Sequence, residues 1–82
     1  MIKIYGSPMC PGCVKCKEEL EKAGVPFLYL SITDNLLTLK QFLKLRETHE
    51  EFNPIRERGQ IGIPCILEED GKLSFDWEQY LK

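Results

Sequence analysis

The chain has 82 residues, a 43% apolar fraction and a formal charge of -2 from 11 basic and 13 acidic residues. That length fits a single domain over residues 1–82 with a small core, and the apolar fraction argues against a disordered chain. The charge balance leaves no basic stripe for nucleic acid, and the longest mostly apolar stretch, Val25 to Ile32, is far too short to span a bilayer. The opening residues, Met1-Ile2-Lys3-Ile4-Tyr5-Gly6, lack the charged region, apolar run and cleavage site of a signal peptide, so the cytoplasm is the expected address.

Ile2 to Tyr5 alternates around Lys3 and reads as a strand, ended by Gly6-Ser7-Pro8. Pro11 suits the first position of a helix, and the pattern predicts one over 11–23. Cys13, Cys16, Leu20 and Ala23 fall on one face of it, and Gly24 is its stop. Val25 to Leu30 is mostly apolar and β-prone, which predicts a buried strand. Leu36 to Thr48 is helical in pattern, with Leu36, Leu39, Phe42, Leu43 and Arg46 sharing a face and Leu45 at its margin. Asp34, or Thr38 with Gln41, is the expected cap. A short helix is expected from Pro54 to Arg58, capped by Asn53 and ended by Gly59. Ile63 to Leu67 then reads as a strand, Glu69-Asp70-Gly71-Lys72 as a hairpin turn and Leu73 to Phe75 as the return strand. A last helical turn follows through Trp77, Tyr80 and Leu81, with Asp76 as cap and Gln79 at the box position. The order is βαβ, helical segments, ββ, α. A βαβ unit implies parallel pairing and a right-handed crossover, while the hairpin adds an antiparallel pair. The expectation is an α/β fold with one mixed sheet covered by helices.

Three of the four cysteines lie within seven residues, and Cys65 stands apart. In a reducing compartment such cysteines are more often catalytic or metal-binding than a disulfide framework. Cys10-Pro11-Gly12-Cys13 sits where a strand hands over to a helix. Unpaired N–H groups and the helix dipole stabilise a thiolate there, which makes Cys10 the expected nucleophile. Cys13 lies one turn on and directed inward, where it can resolve a mixed disulfide. Pro11 and Gly12 offer no acid or base and are assigned to backbone geometry beside the thiols. Lys15 and Lys17 read as helix-surface lysines. Cys16 shares the packing face with Leu20 and reads first as core filler, with an auxiliary redox thiol or a metal ligand as alternatives. A cage of Cys10, Cys13, Cys16 and Cys65 has enough thiolates for zinc or an iron–sulfur cluster, although the usual paired CxxC spacing is absent. His49 lies in a polar stretch, is expected to be exposed, and adds nothing to that cage. The expected metal is none.

An N-terminal strand, CPxC at the next helix start, and Ile63-Pro64 at a later strand start resemble glutaredoxins and the wider thioredoxin fold. The resemblance covers essentially the whole chain. It implies a thioredoxin-like, glutaredoxin-type βαβ–α–ββα architecture with a four-stranded mixed sheet flanked by helices. It also implies a cis Ile63–Pro64 bond facing the dithiol, where the Ile63 backbone would pair with an extended substrate. Cys65, directly after that proline, reads as a buried cysteine or as a third redox thiol.

What the resemblance implies is thiol–disulfide exchange: Cys10 attacks, Cys13 resolves, and the substrate is a protein disulfide or a small thiol compound. No bound cofactor is needed. Glutathione is an expected cosubstrate, and glutathione or a thioredoxin-reductase-type system an expected reductant, acting on a monomer. Departures bear on glutathione: Ser7-Pro8-Met9 stands where such proteins carry a basic residue. The usual Gly-Gly doublet is missing too, and Asp76 matches the acidic position only loosely. Arg46, Arg56 and Arg58 are candidates for a carboxylate but read first as partners of nearby Glu residues. The alternatives are a zinc or iron–sulfur module and an inactive interaction protein of the same fold. An arsenate-reductase-like activity ranks lower, because it needs a basic residue near the cysteine.

Overall fold

The computed structural model describes residues 1–81. Strand β1 (Ile2–Gly6) runs into helix α1 (Pro11–Lys22), which returns the chain to β2 (Phe27–Ser31). Helix α2 (Leu36–Thr48), a 3-10 turn at Glu50–Phe52 and the short α3 (Asn53–Glu57) follow. β3 (Cys65–Leu67) and β4 (Leu73–Ser74) make the hairpin, and a 3-10 turn covers Trp77–Leu81. The sheet order is β2-β1-β3-β4, with β1 parallel to β2 and antiparallel to β3. This is the expected βαβ–α–ββα arrangement. No helix among the described residues is long and apolar enough to cross a membrane.

Alternation along β1 and β3 splits the core into two layers. Ile4 and Ile66 face α1, packing with Cys16 and Leu20. Tyr5 and Cys65 face the other way, into a layer with Ile32, Phe42, Phe52 and Leu73. That second layer is built on aromatic edges: Phe52 meets Phe42 and Phe75 at centroid distances of 5.7 and 5.0 Å.

Local expectations needed several corrections. β2 lies at the sheet edge, so it is half-exposed rather than buried. Ala23 is exposed, since α1 ends at Lys22 and Ala23 is its C-cap. Asn35, not Asp34 or Thr38, caps α2: its Oδ1 accepts from the N–H groups of Leu37 and Thr38 at 2.9 and 3.2 Å. Phe52 precedes α3 without a side-chain cap, and Asn53 is already helical. At the last turn Ser74 Oγ accepts from the Asp76 N–H at 3.1 Å and from Gln79 Nε2 at 2.8 Å. Gln79 Nε2 also donates to the Asp76 carbonyl at 2.8 Å. On α2 only Phe42 is fully buried; Leu36 and Leu43 are exposed.

Candidate active site

The site grows from the carboxyl end of β1. Gly6 must be glycine for close packing: a Cβ there would lie 2.6 Å from the Tyr29 hydroxyl and 3.2 Å from Cys13 Cβ. Ser7 comes next and is buried. Its Oγ shares a 2.8 Å hydrogen bond with Thr33 Oγ1 and accepts from the Met9 N–H at 3.1 Å. Its carbonyl accepts from the Cys10 N–H at 3.1 Å. The loop before the dithiol is therefore fastened to the loop after β2.

Cys10 caps α1 with its own sulfur. The Cys13 N–H donates to Cys10 Sγ at 3.3 Å, and Pro11 opens the helix. One N–H of the helix N-terminus, that of Cys13, thus points at a partly exposed sulfur. Pro11 and Gly12 are exposed above it. Cys13 is fully buried beneath. Burial pushes its thiol up to about 12, aided by its hydrogen bond with Cys10 and opposed by a backbone hydrogen bond from Ser7. Cys16, also fully buried, is pushed up to about 11 by burial and then by the charge of Cys10. The pair is therefore asymmetric, with one sulfur at the surface and one held protonated below.

Facing Cys10 is the Ile63–Pro64 segment, whose peptide bond is cis. Cys10, Ile55, Gly62, Ile63, Pro64 and Phe75 are among the residues lining a groove of about 520 Å³. Ile63 stands outside the β1–β3 ladder, whose last register pair is Tyr5 with Cys65.

Cys65 sits on the other face of the sheet from Cys16, fully buried in the aromatic layer. Burial, and then the Glu51 carboxylate, push its thiol up to about 12. The sheet thus separates Cys65 from Cys16, and a four-thiol cage cannot close across it. No group of three or more His, Cys, Asp or Glu side chains among the described residues is arranged to hold a metal ion. His49 is half-buried rather than exposed, with Nδ1 at 3.2 Å from Thr48 Oγ1.

Two arginines are spent on backbone and amide oxygens instead of Glu. Arg46 donates to the carbonyls of Gln60 and Ile61, and Arg56 to the Arg46 carbonyl and Asn53 Oδ1. Lys17 also has a partner, lying 5.2 Å from the centroid of the Tyr29 ring. Sequence reasoning missed Ser7, Ile55 and Phe75. A serine one residue beyond a strand, before proline, signals a local turn; the burial of Ser7 depends on Thr33, 26 positions away.

A thioredoxin-type sheet carrying a capped Cys10–Cys13 pair opposite a cis-proline defines a thioredoxin-fold protein of the thiol–disulfide oxidoreductase class. The glutaredoxin family model matches residues 2–72, and the chain belongs to that family. An uncharacterized protein of Haemophilus influenzae is 32% identical over 73 residues, covering 89% of this chain and 85% of that one. An uncharacterized glutaredoxin-like 8.6 kDa protein in the rubredoxin operon of Clostridium pasteurianum is 42% identical over 66 residues, covering 80% and 72%. Among solved structures, the thioredoxin-like protein BC3987 superposes over the whole of both chains with a TM-score of 0.66 at 22% identity, a likeness of fold. An epsilon-class glutathione S-transferase from housefly, Musca domestica, matches 99% of this chain with 32% of its own length, at a TM-score of 0.58 and 25% identity.

Proposed function

We propose that the protein is a cytoplasmic thiol–disulfide oxidoreductase that reduces protein or low-molecular-weight disulfides through Cys10 and Cys13. The observation that carries this reading is the asymmetry of the pair: a partly exposed Cys10 sulfur at the α1 cap, accepting from the Cys13 backbone N–H, with the Cys13 thiol buried beneath it.

Cys10 thiolate attacks one sulfur of the substrate disulfide. The substrate S–S bond breaks, one substrate sulfur leaves as a thiolate and takes a proton from water, and the other stays bonded to Cys10. Once Cys10 is bound in this mixed disulfide, it no longer carries the charge that adds to burial in holding the Cys13 proton. Cys13 then gives that proton to water and attacks Cys10 Sγ. The second substrate sulfur departs with the electron pair, and Cys10–Cys13 becomes the disulfide. Two electrons from glutathione or from a thioredoxin-reductase-type system reset it. Ile63 and Pro64 line the groove where the substrate would lie, and Pro11 and Gly12 stand beside the attacked bond. Cys16 and Cys65 are buried away from this path and serve as packing groups.

The test is a mixed-disulfide trap. Cys13→Ser should accumulate a covalent adduct with a disulfide substrate, seen by mass spectrometry and released by dithiothreitol, while Cys10→Ser should form none. Turnover that survives Cys10→Ser would sink the assignment of the nucleophile. Rates with glutathione and with a reductase system, compared side by side, identify the reductant.

A further inference from the structure

Beside the dithiol groove, three aliphatic side chains stand uncovered: Leu36 is 84% exposed, Ile61 59% and Leu43 43%. They rim a second groove of about 610 Å³ between α2 and residues 59–61, with Ile32, Leu39 and Phe42 also in its lining. Gly59, Gln60 and Ile61 line both grooves, so the two share a wall. Helix α2 holds that wall. Arg46 Nη2 donates to the Gln60 carbonyl at 2.7 Å and Nε to the Ile61 carbonyl at 3.3 Å. Apolar surface gathered this way marks an interaction site.

Charge decides what the joined grooves accept. Apart from Cys10 itself, none of the residues lining the Cys10 groove is ionic. In the second groove Arg46 is bonded to the wall, and Asp34 is the one acidic residue in the lining. A glutathionyl group brings two carboxylates, and the one cation in these linings, Arg46, already donates to two wall carbonyls and shares its groove with Asp34. An aliphatic side chain gains by the same burial. Extended polypeptide advances about 3.3 Å per residue, so a residue a few positions from a substrate cysteine can reach the second groove.

We propose that the groove between α2 and residues 59–61 is a docking subsite for an aliphatic side chain that flanks the disulfide of a protein substrate. The proposal rests on the exchange reaction above and names its substrate class: an extended, apolar-flanked protein disulfide. Exchange itself proceeds at Cys10 and Cys13 as already written, and the subsite contributes binding.

Two disulfide-linked peptides, identical except for Leu or Ser a few residues from the cysteine, test it with wild type, Leu36→Ser and Leu43→Ser. The readout is the ratio of kcat/KM values, Leu peptide over Ser peptide. In wild type this ratio should be about ten or more, the worth of one well-buried aliphatic group. Each variant should bring it several-fold closer to one. A wild-type ratio near one, or a ratio that neither variant changes, overturns the subsite. So does a dimer that Leu36→Ser dissociates, which would assign the face to a second copy of the chain. Hydroxyethyl disulfide, uncharged and without a flanking chain, reports on exchange alone. No reaction with it sinks the dithiol reading and the subsite together; reaction with it but no peptide preference sinks only the subsite.

Discussion

Gly62→Ala should cost far more stability than a loop glycine ordinarily would. Gly62 has φ +95°, a region that L side chains rarely adopt. A Cβ there would also lie 2.7 Å from Phe52 Cε1 and 3.1 Å from Ile55 Cγ2. Phe52 cannot yield easily. It is fully buried and held edge-on against Phe42 and Phe75. Two costs therefore add: roughly 1–2 kcal/mol for the backbone and about 1–3 kcal/mol for overpacking. A domain of this length is stable by only about 4–12 kcal/mol, so the sum of about 2–5 kcal/mol is a large share. It corresponds to a fall in Tm of roughly 10–30 °C. Gly59→Ala is the internal comparison, since Gly59 has φ +67° but nothing within 4 Å of its Cβ position. Only the backbone cost of about 1–2 kcal/mol should appear there. Urea and thermal denaturation followed by circular dichroism measure both variants. Equal losses at the two positions would refute the claim that Phe52 and Ile55 form a fixed wall behind the Ile63–Pro64 segment.

Three further outcomes follow from other parts of the molecule. The raised thiols of Cys13, Cys16 and Cys65, at about 12, 11 and 12, keep protons that the unfolded chain releases above its ordinary value near 8.5. Their contribution is whole below about pH 8.5 and is lost as pH rises through the raised values, by about 1.4 kcal/mol per pH unit per thiol. Urea midpoints at about pH 8 and about pH 10 should therefore drop less steeply in Cys65→Ala than in wild type, and parallel slopes would contradict the linkage. Tyr80→Phe removes the 2.5 Å hydrogen bond to Glu68 Oε2 that ties the last turn to the hairpin, and should cost about 1 kcal/mol in a thermal melt. Asn35→Ala should lose about 1 kcal/mol as the true cap of α2, whereas Asp34→Ala should stay within about 0.5 kcal/mol.

The order of elements was legible because it depends on local periods and punctuation. α2 spans Leu36–Thr48, as its pattern predicts, and α1 opens at Pro11. The dithiol was legible for the same reason, since CPGC at a strand-to-helix junction is a local signal. Burial was read less well. Leu36 and Leu43 keep the helical period of a packed face, yet both are exposed. β2 is apolar enough for a central strand, yet it has a neighbour on one side only. Side-chain partners across long separations were invisible, as with Ser7 and Thr33 or Arg46 and the carbonyls of Gln60 and Ile61.

By itself, then, the sequence determined the order of helices and strands, and where a CPGC pair would meet a helix start. Nearest neighbours and a 3.6- or two-residue period are enough for that. Only the tertiary structure decided which cysteines belong together. Adjacent residues of β3 point to opposite faces, so Cys65 enters the aromatic layer while Ile66 meets Cys16 and α1. That alternation puts Cys65 on the opposite face of the sheet from Cys16. Three-dimensional closure also brought residues 59–61 against α2, leaving beside the dithiol an apolar groove that no linear pattern announces.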